Sequence, residues 1–407
     1  MFGLHIEEIL ILGCCVVVLS YLFSILARYI RVPSVLLLLF AGIALRLVAD
    51  SNDFQVYLPP TLVEGLGVVG LIMIVLEAGL DLKLEKSKVP LIRNSFFSAL
   101  VIFVVSAVLI TGILYYWLRE PLEKCLVYAI PLSIMSSTIV IPSIHPLTEQ
   151  KKEFLIYEAS FSDIIGILVF NYFTAKEVLT WKSLGVFAGN IVVAIILSLA
   201  FSLLLLLILA KTKLNIKFIL VLSLLVLIYS GGKMLGIPSL LIILVFGLMI
   251  NNWERIRLPR LRKWFPHSQV DSLRHLLHTI TAESSFLVRT FFFILFGFTI
   301  QLKAVAETGI LLVGSFIVVA LFLIRLLYLR FFVHTNVFPE AFFIPRGLIT
   351  IVLFYKIPAN LKLTTFNDGI LFFIILTTSV IMAMGTIFYK KGPEQIVEEG
   401  QFIERSP

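Results

Sequence analysis

The sequence predicts an all-helical, polytopic membrane protein of about thirteen transmembrane helices, and three observations carry that expectation. Of its 407 residues 59% are hydrophobic and only 14% are charged. With a mean hydropathy of +1.04 this excludes an ordinary soluble enzyme. The apolar residues fall into helix-length runs separated by short connections that hold most of the lysines and arginines. Finally, one run is echoed in the second half of the chain, at a place that gives the two copies opposite orientation.

The apolar segments cover about 8–29, 33–49, 61–82, 90–117, 125–144, 153–174, 183–210, 216–232, 238–252, 283–302, 308–332, 337–357 and 368–389. Alternate connections are strongly basic. They hold Arg28 and Arg31, then Lys83, Lys86 and Lys88, Lys151 and Lys152, Lys211, Lys213 and Lys217, the cluster Arg255 to Lys263, Arg330, and Lys390 and Lys391. The positive-inside rule therefore predicts an N-terminus outside and a C-terminus in the cytoplasm, with the first helix retained rather than cleaved as a signal peptide. A net charge of +8 would suggest nucleic acid in a soluble protein, but basic residues at helix ends answer to anionic membrane lipid. No nucleic acid is expected. Cys14, Cys15 and Cys125 have no metal-ligand spacing and read as free, buried thiols.

The echo runs from Arg31-Val32-Pro33-Ser34-Val35 through Ala41-Gly42-Ile43 to Gly236-Ile237-Pro238-Ser239-Leu240 through Phe246-Gly247-Leu248, about 205 positions later. A second echo pairs Leu80-Asp81-Leu82-Lys83 with Ile300-Gln301-Leu302-Lys303. With segment seven as connector, segments one to six and eight to thirteen form an inverted-topology repeat. Such repeats place a transport site near the midplane, where interrupted helices of the two halves meet.

Two segments carry interruptions. Segment five sets Ser133, Ser136, Ser137 and Thr138 between Pro131 and Pro142, and segment twelve has Pro345-Arg346-Gly347 at its middle. Proline removes a helix hydrogen bond and glycine allows unusual dihedrals, so backbone at both places is free to unwind and bind an ion. Arg346 is too central to snorkel.

Segment six carries two carboxylates in hydrocarbon, Glu158 and Asp163. Asp163 lies about 15 Å along the helix from the Lys151-Lys152-Glu153 cluster, mid-depth in a core about 30 Å thick. Intramembrane acids mark ion pathways. Glu158 is about 140° around the helix from Asp163, so the two have different partners, while Ser162 shares the face of Glu158.

The stretch 253–282, with Trp253, Trp264 and Phe265 among arginines, fits an amphipathic interfacial helix. Its His267, His275 and His278, with His145, are surface groups able to sense pH. No nucleophile, base and orienter recur together and no phosphate-binding glycine loop is present, so an enzyme is not expected. No cofactor is implied.

These residues resemble the monovalent cation:proton antiporter superfamily, above all its sodium/proton exchanger branch, across nearly the whole chain. Glu158-Ala159-Ser160-Phe161-Ser162-Asp163 is similar to that branch's glutamate followed by Asn-Asp, Pro345-Arg346-Gly347 to its central Arg-Gly, Pro33 to Ile43 to its second helix, and Leu76-Glu77-Ala78-Gly79-Leu80-Asp81 to the close of its third. The resemblance implies that Asp163 binds cation and proton in turn, that Glu158 pairs with Arg346, and that segments five and twelve are crossing discontinuous helices. It also implies a homodimer in which a moving core works against a dimerisation scaffold. The core would comprise 89–174 and 306–389, and the scaffold 1–88 and 213–305. A linker at 175–212 and a short cytoplasmic tail at 390–407 complete the chain.

Two departures stand out. Ser162 replaces the Asn (or Asp) usual in the family before the aspartate, and Ser136-Ser137-Thr138 stands where exchangers usually show Thr-Asp-Pro, which brings the site closer to potassium-efflux antiporters. The expected metal site is therefore Asp163 with the hydroxyls of Ser136, Ser137, Thr138 and Ser162, holding Na⁺ or K⁺ through oxygen ligands. With one titrating carboxylate, electroneutral exchange by elevator-type alternating access in the plasma (inner) membrane is the expected activity. Alternatives are a cation channel or uniporter, a non-transporting sensor that retains the fold, and a sodium-coupled symporter of related architecture.

Overall fold

The computed structural model describes residues 6–51, 60–174, 217–234, 239–255, 267–300, 307–333 and 337–389, with scattered positions between 185 and 204. The described residues hold helices and no strand. In chain order they are α1 (Ile6–Ile30), α2 (Ser34–Ser51), α3 (Pro60–Asp81), α4 (Val89–Leu118), α5 (Leu122–Ser133), α6 (Ser137–Ser143) and α7 (Glu149–Thr174). After a gap follow α8 (Lys217–Met234), α9 (Ser239–Asn251), α10 (His267–Thr299), α11 (Thr308–Tyr328), α12 (Leu348–Tyr355) and α13 (Asp368–Phe388). Six stretches, from Ser34–Ser51 to Asp368–Phe388, are each long and apolar enough to cross a bilayer. The chain is a multi-pass membrane protein. The connector expected at segment seven, Gly236 to Pro238 of the first echo, Gln301 to Lys303 of the second, and the tail from 390 lie largely or wholly outside the described residues.

The helices sort into two packed groups. In one, α2 lies along α10 and α3 lies along both α9 and α10; in the other, α4 packs on α5, α7 and α11, and α11 on α13. The short α12 touches both groups, meeting α3 and α10 on one side and α5 and α7 on the other.

Glycine sets the first group. At the crossing of α3 and α9, a Cβ on Gly79 would stand 3.0 Å from the Cα of Gly247, and a Cβ on Gly247 would meet Gly79 at the same 3.0 Å. At the crossing of α2 and α10, a Cβ on Gly42 would run into the backbone of Ile294 and stand 3.0 Å from the Cα of Gly297. Backbones approach this closely only where side chains are absent, the common way membrane helices gain contact without a hydrophobic driving force. Gly42 and Gly247 are the same position of the echoed sequence. Each sets its helix against a glycine of a helix from the other half of the chain.

Two expectations are corrected. The basic stretch 253–282 is not a separate interfacial helix where it is described: from His267 the chain is already α10, running unbroken to Thr299. Trp253 is buried, not interfacial, in a short 3₁₀ turn after α9. The reason is that α10 carries apolar residues at Val270, Leu273 and Leu277, which pack into the core and extend the helix. Cys14 and Cys15 are exposed on α1 and Cys125 alone is buried. An apolar run in a membrane protein faces lipid as readily as protein, and hydropathy does not separate the two.

The glycine crossings predict a contrast. Gly42→Ala should lower the thermal unfolding temperature in detergent, since crowding a packed interface costs about 1–3 kcal/mol. Gly112→Ala, where nothing lies within 4 Å of the added carbon, should leave the temperature unchanged or raised, because alanine is the better helix former.

Candidate functional site

The site is built from two broken helices. Between α5 and α6 the chain leaves the helix at Ile134 and Ser136, both with extended backbone (ψ 126 and 114). Ahead of α12 only a 3₁₀ turn, Glu340–Phe342, precedes a non-helical stretch ending at Gly347. Prolines mark both regions, but Pro131 lies inside α5 and Pro142 inside α6, so the break is at the residues between them. The two breaks touch: Ser136 N–H donates to the Pro345 carbonyl at 3.0 Å. At Gly347 a Cβ would stand 3.0 Å from that of Ser136, so the second chain passes the first with glycine at the contact.

A helix end leaves carbonyls unpaired, and in hydrocarbon each must find a donor. Arg346 supplies them. Its Nε donates to Leu132 O at 2.7 Å and its Nη2 to Ser133 O at 3.3 Å, both at the end of α5, while Nη1 donates to Ile344 O at 2.7 Å. The N–H of Met135 is met by Ser162 Oγ at 2.9 Å. Ser162 thus fastens the break to α7.

Glu158 does not pair with Arg346. Arg325 of α11 holds it, with Nη1 donating to Oε1 at 3.0 Å and Nη2 to Oε2 at 2.8 Å, and Ser98 Oγ of α4 donates to Oε1 at 2.6 Å. The Arg325 Nε donates to the Glu340 carbonyl at 2.6 Å, and the Glu340 carboxylate is bound by Lys151 at 2.5 Å. The expected rule was sound, since a buried carboxylate needs a buried cation. The partner was wrong because Arg346 is occupied with backbone. An arginine inside the apolar run 308–332 was signal enough to find Arg325, because intramembrane arginines are rare and partnered.

Asp163 stands apart. Ser137 donates to its Oδ2 twice, from Oγ at 2.5 Å and from the backbone N–H at 3.3 Å. Its Oδ1 is buried with no hydrogen-bond partner among the described residues, and so is Ser160 Oγ one turn earlier. Both residues line a narrow crevice walled by apolar side chains of α3 and α9, among them Ile74, Ala78 and Leu244, with Ile349 of α12. Of the hydroxyls expected around Asp163, only Ser137 touches it. Ser136 and Thr138 bond to one another at 2.7 Å, and Ser162 serves Met135. Nothing in the sequence marks Ser160, because a serine one turn from an aspartate is ordinary in any helix.

Two further pairs border the site. Arg289 of α10 lies 3.7 Å from Glu77 of α3, and its Nη1 donates to Thr138 O at 3.4 Å. His278 Nε2 lies 2.9 Å from Asp81 Oδ1, so this expected surface histidine has a carboxylate partner.

A family model described as sodium/hydrogen exchanger, transmembrane, matches residues 16–390. The chain belongs to the sodium/hydrogen exchanger family. Among solved structures, the sodium proton antiporter MjNhaP1 from Methanocaldococcus jannaschii at pH 8 is similar with a TM-score of 0.69 at 17% identity, covering 94% of this chain and 100% of that one. An electron-microscopy map of MjNhaP1 gives a TM-score of 0.61 at 17% identity, covering 98% of this chain and 97% of that one. At that identity the likeness is one of fold. No curated protein matches the chain.

The Glu158 site of this exchanger yields a prediction about stability. Arg325→Ala should lose about 3–5 kcal/mol, because the carboxylate is left buried with no counter-ion. Glu158→Gln combined with Arg325→Gln should lose less than the sum of its single variants in detergent unfolding. An additive double variant would mean that the two charges do not depend on each other.

Proposed function

We propose that this chain is a secondary active antiporter exchanging a monovalent cation for a proton at Asp163. One observation carries the reading: among the described residues, Asp163 is the buried carboxylate with no cationic side chain paired to it, Glu158 being held by Arg325 and Glu340 by Lys151. An isolated buried charge is too costly to keep, so the group needs a proton or a metal cation. The two exclude each other at one carboxylate. Exchange follows from that exclusion.

The cation's ligands are the carboxylate and hydroxyl oxygens suited to a hard ion: Asp163 first, Ser137 already on its Oδ2, and Ser160 facing the same crevice. Na⁺ is named first because the family is described as a sodium/hydrogen exchanger and MjNhaP1 as a sodium proton antiporter. K⁺ is the second candidate because Ser136-Ser137-Thr138 resembles the potassium-efflux pattern. A homodimer in the plasma membrane, N-terminus outside, with α4 to α7 and α11 to α13 as the moving core, completes the proposal. The apolar crevice between Asp163 and α3 with α9 supports that division.

Proton flux in proteoliposomes, with Na⁺, K⁺ or Li⁺ supplied in turn, tests the activity. Asp163→Asn keeps the volume and removes the exchangeable charge, so cation-driven proton movement should vanish while the protein stays folded. Ser160→Ala should raise the cation KM about 3- to 10-fold, the worth of one lost oxygen contact. Wild-type flux in Asp163→Asn would end the proposal.

Stoichiometry follows from the same count of charges. With Glu158 matched in place by Arg325, the loaded site has the same charge whether it holds one proton or one monovalent cation. Membrane potential couples only to net charge, at about 2.3 kcal/mol per elementary charge per 100 mV. An imposed potential without ion gradients should therefore drive no sustained, cation-dependent change in lumenal pH. Sustained proton movement would require a second exchanging group.

A further inference from the structure

Beside the site, on the outer surface of the helices that carry it, lies a second and much larger recess. It opens between the start of α4 and the middle of α7 and has a volume of about 410 Å³, against about 20 Å³ for the crevice at Asp163. One end is basic, with Lys86 from the 3₁₀ turn that precedes α4 and Arg93 one turn into α4. The other end is apolar. There Phe96 and Phe161 stand edge to face at 5.4 Å and Val89 and Ile92 form the side.

The charge of the basic end is not balanced by any described carboxylate. Glu85, the one acid at the groove, is shared between Lys88 at 3.8 Å and Arg255 at 3.5 Å. No described carboxylate pairs with Lys86 or Arg93, and both are exposed. Arg93 lies inside the stretch Lys86–Leu118, which is long and apolar enough to span the bilayer. The two cations thus lie at the polar start of that stretch, where basic side chains meet lipid phosphates, and the aromatic wall continues from them along its apolar part.

We propose that this groove binds one anionic glycerophospholipid, its phosphate between Lys86 and Arg93 and the upper part of an acyl chain along Phe96 and Phe161. Charge complementarity selects the occupant. A zwitterionic lipid leaves the excess positive charge unmatched, and a soluble anion leaves the aromatic wall uncovered. Phe161 belongs to the same helix as Asp163, two residues away, so the lipid would be seated on the helix that holds the ion site.

The test uses the purified full chain in neutral detergent. Dioleoylphosphatidylglycerol, dioleoylphosphatidylcholine and glycerol 1-phosphate are titrated in turn, following the unfolding temperature and the lipid retained in native mass spectrometry. Phosphatidylglycerol should raise the unfolding temperature by several degrees and be retained one per chain, while the other two should do neither. The double variant Lys86→Gln, Arg93→Gln should weaken phosphatidylglycerol binding about tenfold or more, since each basic residue near the lipid surface contributes about 1 kcal/mol. Arg119→Gln, an exposed cation at the far end of α4, should leave it unchanged. Equal stabilisation by phosphatidylcholine would overturn the proposal. So would stabilisation by glycerol 1-phosphate alone, or equal losses in the Arg119 and Lys86, Arg93 variants. The wild-type comparison decides the matter even where the double variant does not fold.

Discussion

The contact between Ser136 N–H and Pro345 O joins the two broken helices of the candidate site. Two helices stop in the middle of an apolar body, and every N–H and C=O released there must be paired inside the protein, because hydrocarbon pairs none of them. The chain meets that demand with few residues. Each break supplies one partner for the other, Arg346 takes the end carbonyls of α5, Ser162 meets Met135, and Thr378 Oγ1 accepts from the backbone of Arg346 at 3.2 Å. A break satisfied this way is rigid. It holds Ser137, the first residue of α6, against Asp163.

The buried charges are sorted by the same logic. Arg346 is matched to carbonyl dipoles, Arg325 to Glu158, and Lys151 to Glu340. The last two pairs are joined through Glu340, whose carbonyl meets Arg325 and whose carboxylate meets Lys151, so α7, α11 and the turn before α12 are tied at one residue. A buried pair contributes little net stability over apolar residues of the same volume, but losing one partner is expensive. Such a network fixes geometry more than it adds free energy. What it fixes is α7, leaving Asp163 with an oxygen that no described group takes.

Much of this was legible in the sequence, and the limits have physical causes. Composition and the length of the apolar runs imply the membrane class because hydrocarbon admits few alternatives. Pro131, Pro142 and Pro345-Arg346-Gly347 marked the regions where helices stop, since these residues act locally on their own backbone. Asp163 and Glu158 stood out because acids in hydrocarbon need a reason. Pairing was different. Which arginine reaches Glu158 depends on how α4, α7 and α11 lie against one another, and no local rule contains that. The hydroxyl cluster shows the same limit. Ser136, Ser137, Thr138 and Ser162 are equivalent as donors in a sequence, but one contacts Asp163, two satisfy each other, and the last is consumed by backbone.

The placement of the crevice decides how the proposed exchange can work. On one side are α3 and α9, locked backbone to backbone through Gly79 and Gly247, and on the other are α7 and α12. Across this seam the side chains are mostly branched and apolar, Ile74, Val75, Leu244 and Ile349 among them. The described polar tie from α10 to the broken helix is the 3.4 Å contact of Arg289 with Thr138 O. An ion carried past such a surface cannot stay charged and unaccompanied, because an apolar wall offers it no ligands. In the proposed exchange the load would therefore have to be neutral before this seam could move. Asp163 with a proton is neutral, Asp163 with a monovalent cation is neutral, and bare Asp163 is not. On that proposal, an apolar seam facing one carboxylate with no described counter-ion would oppose movement of the empty site, and that opposition would make the traffic an exchange instead of a leak.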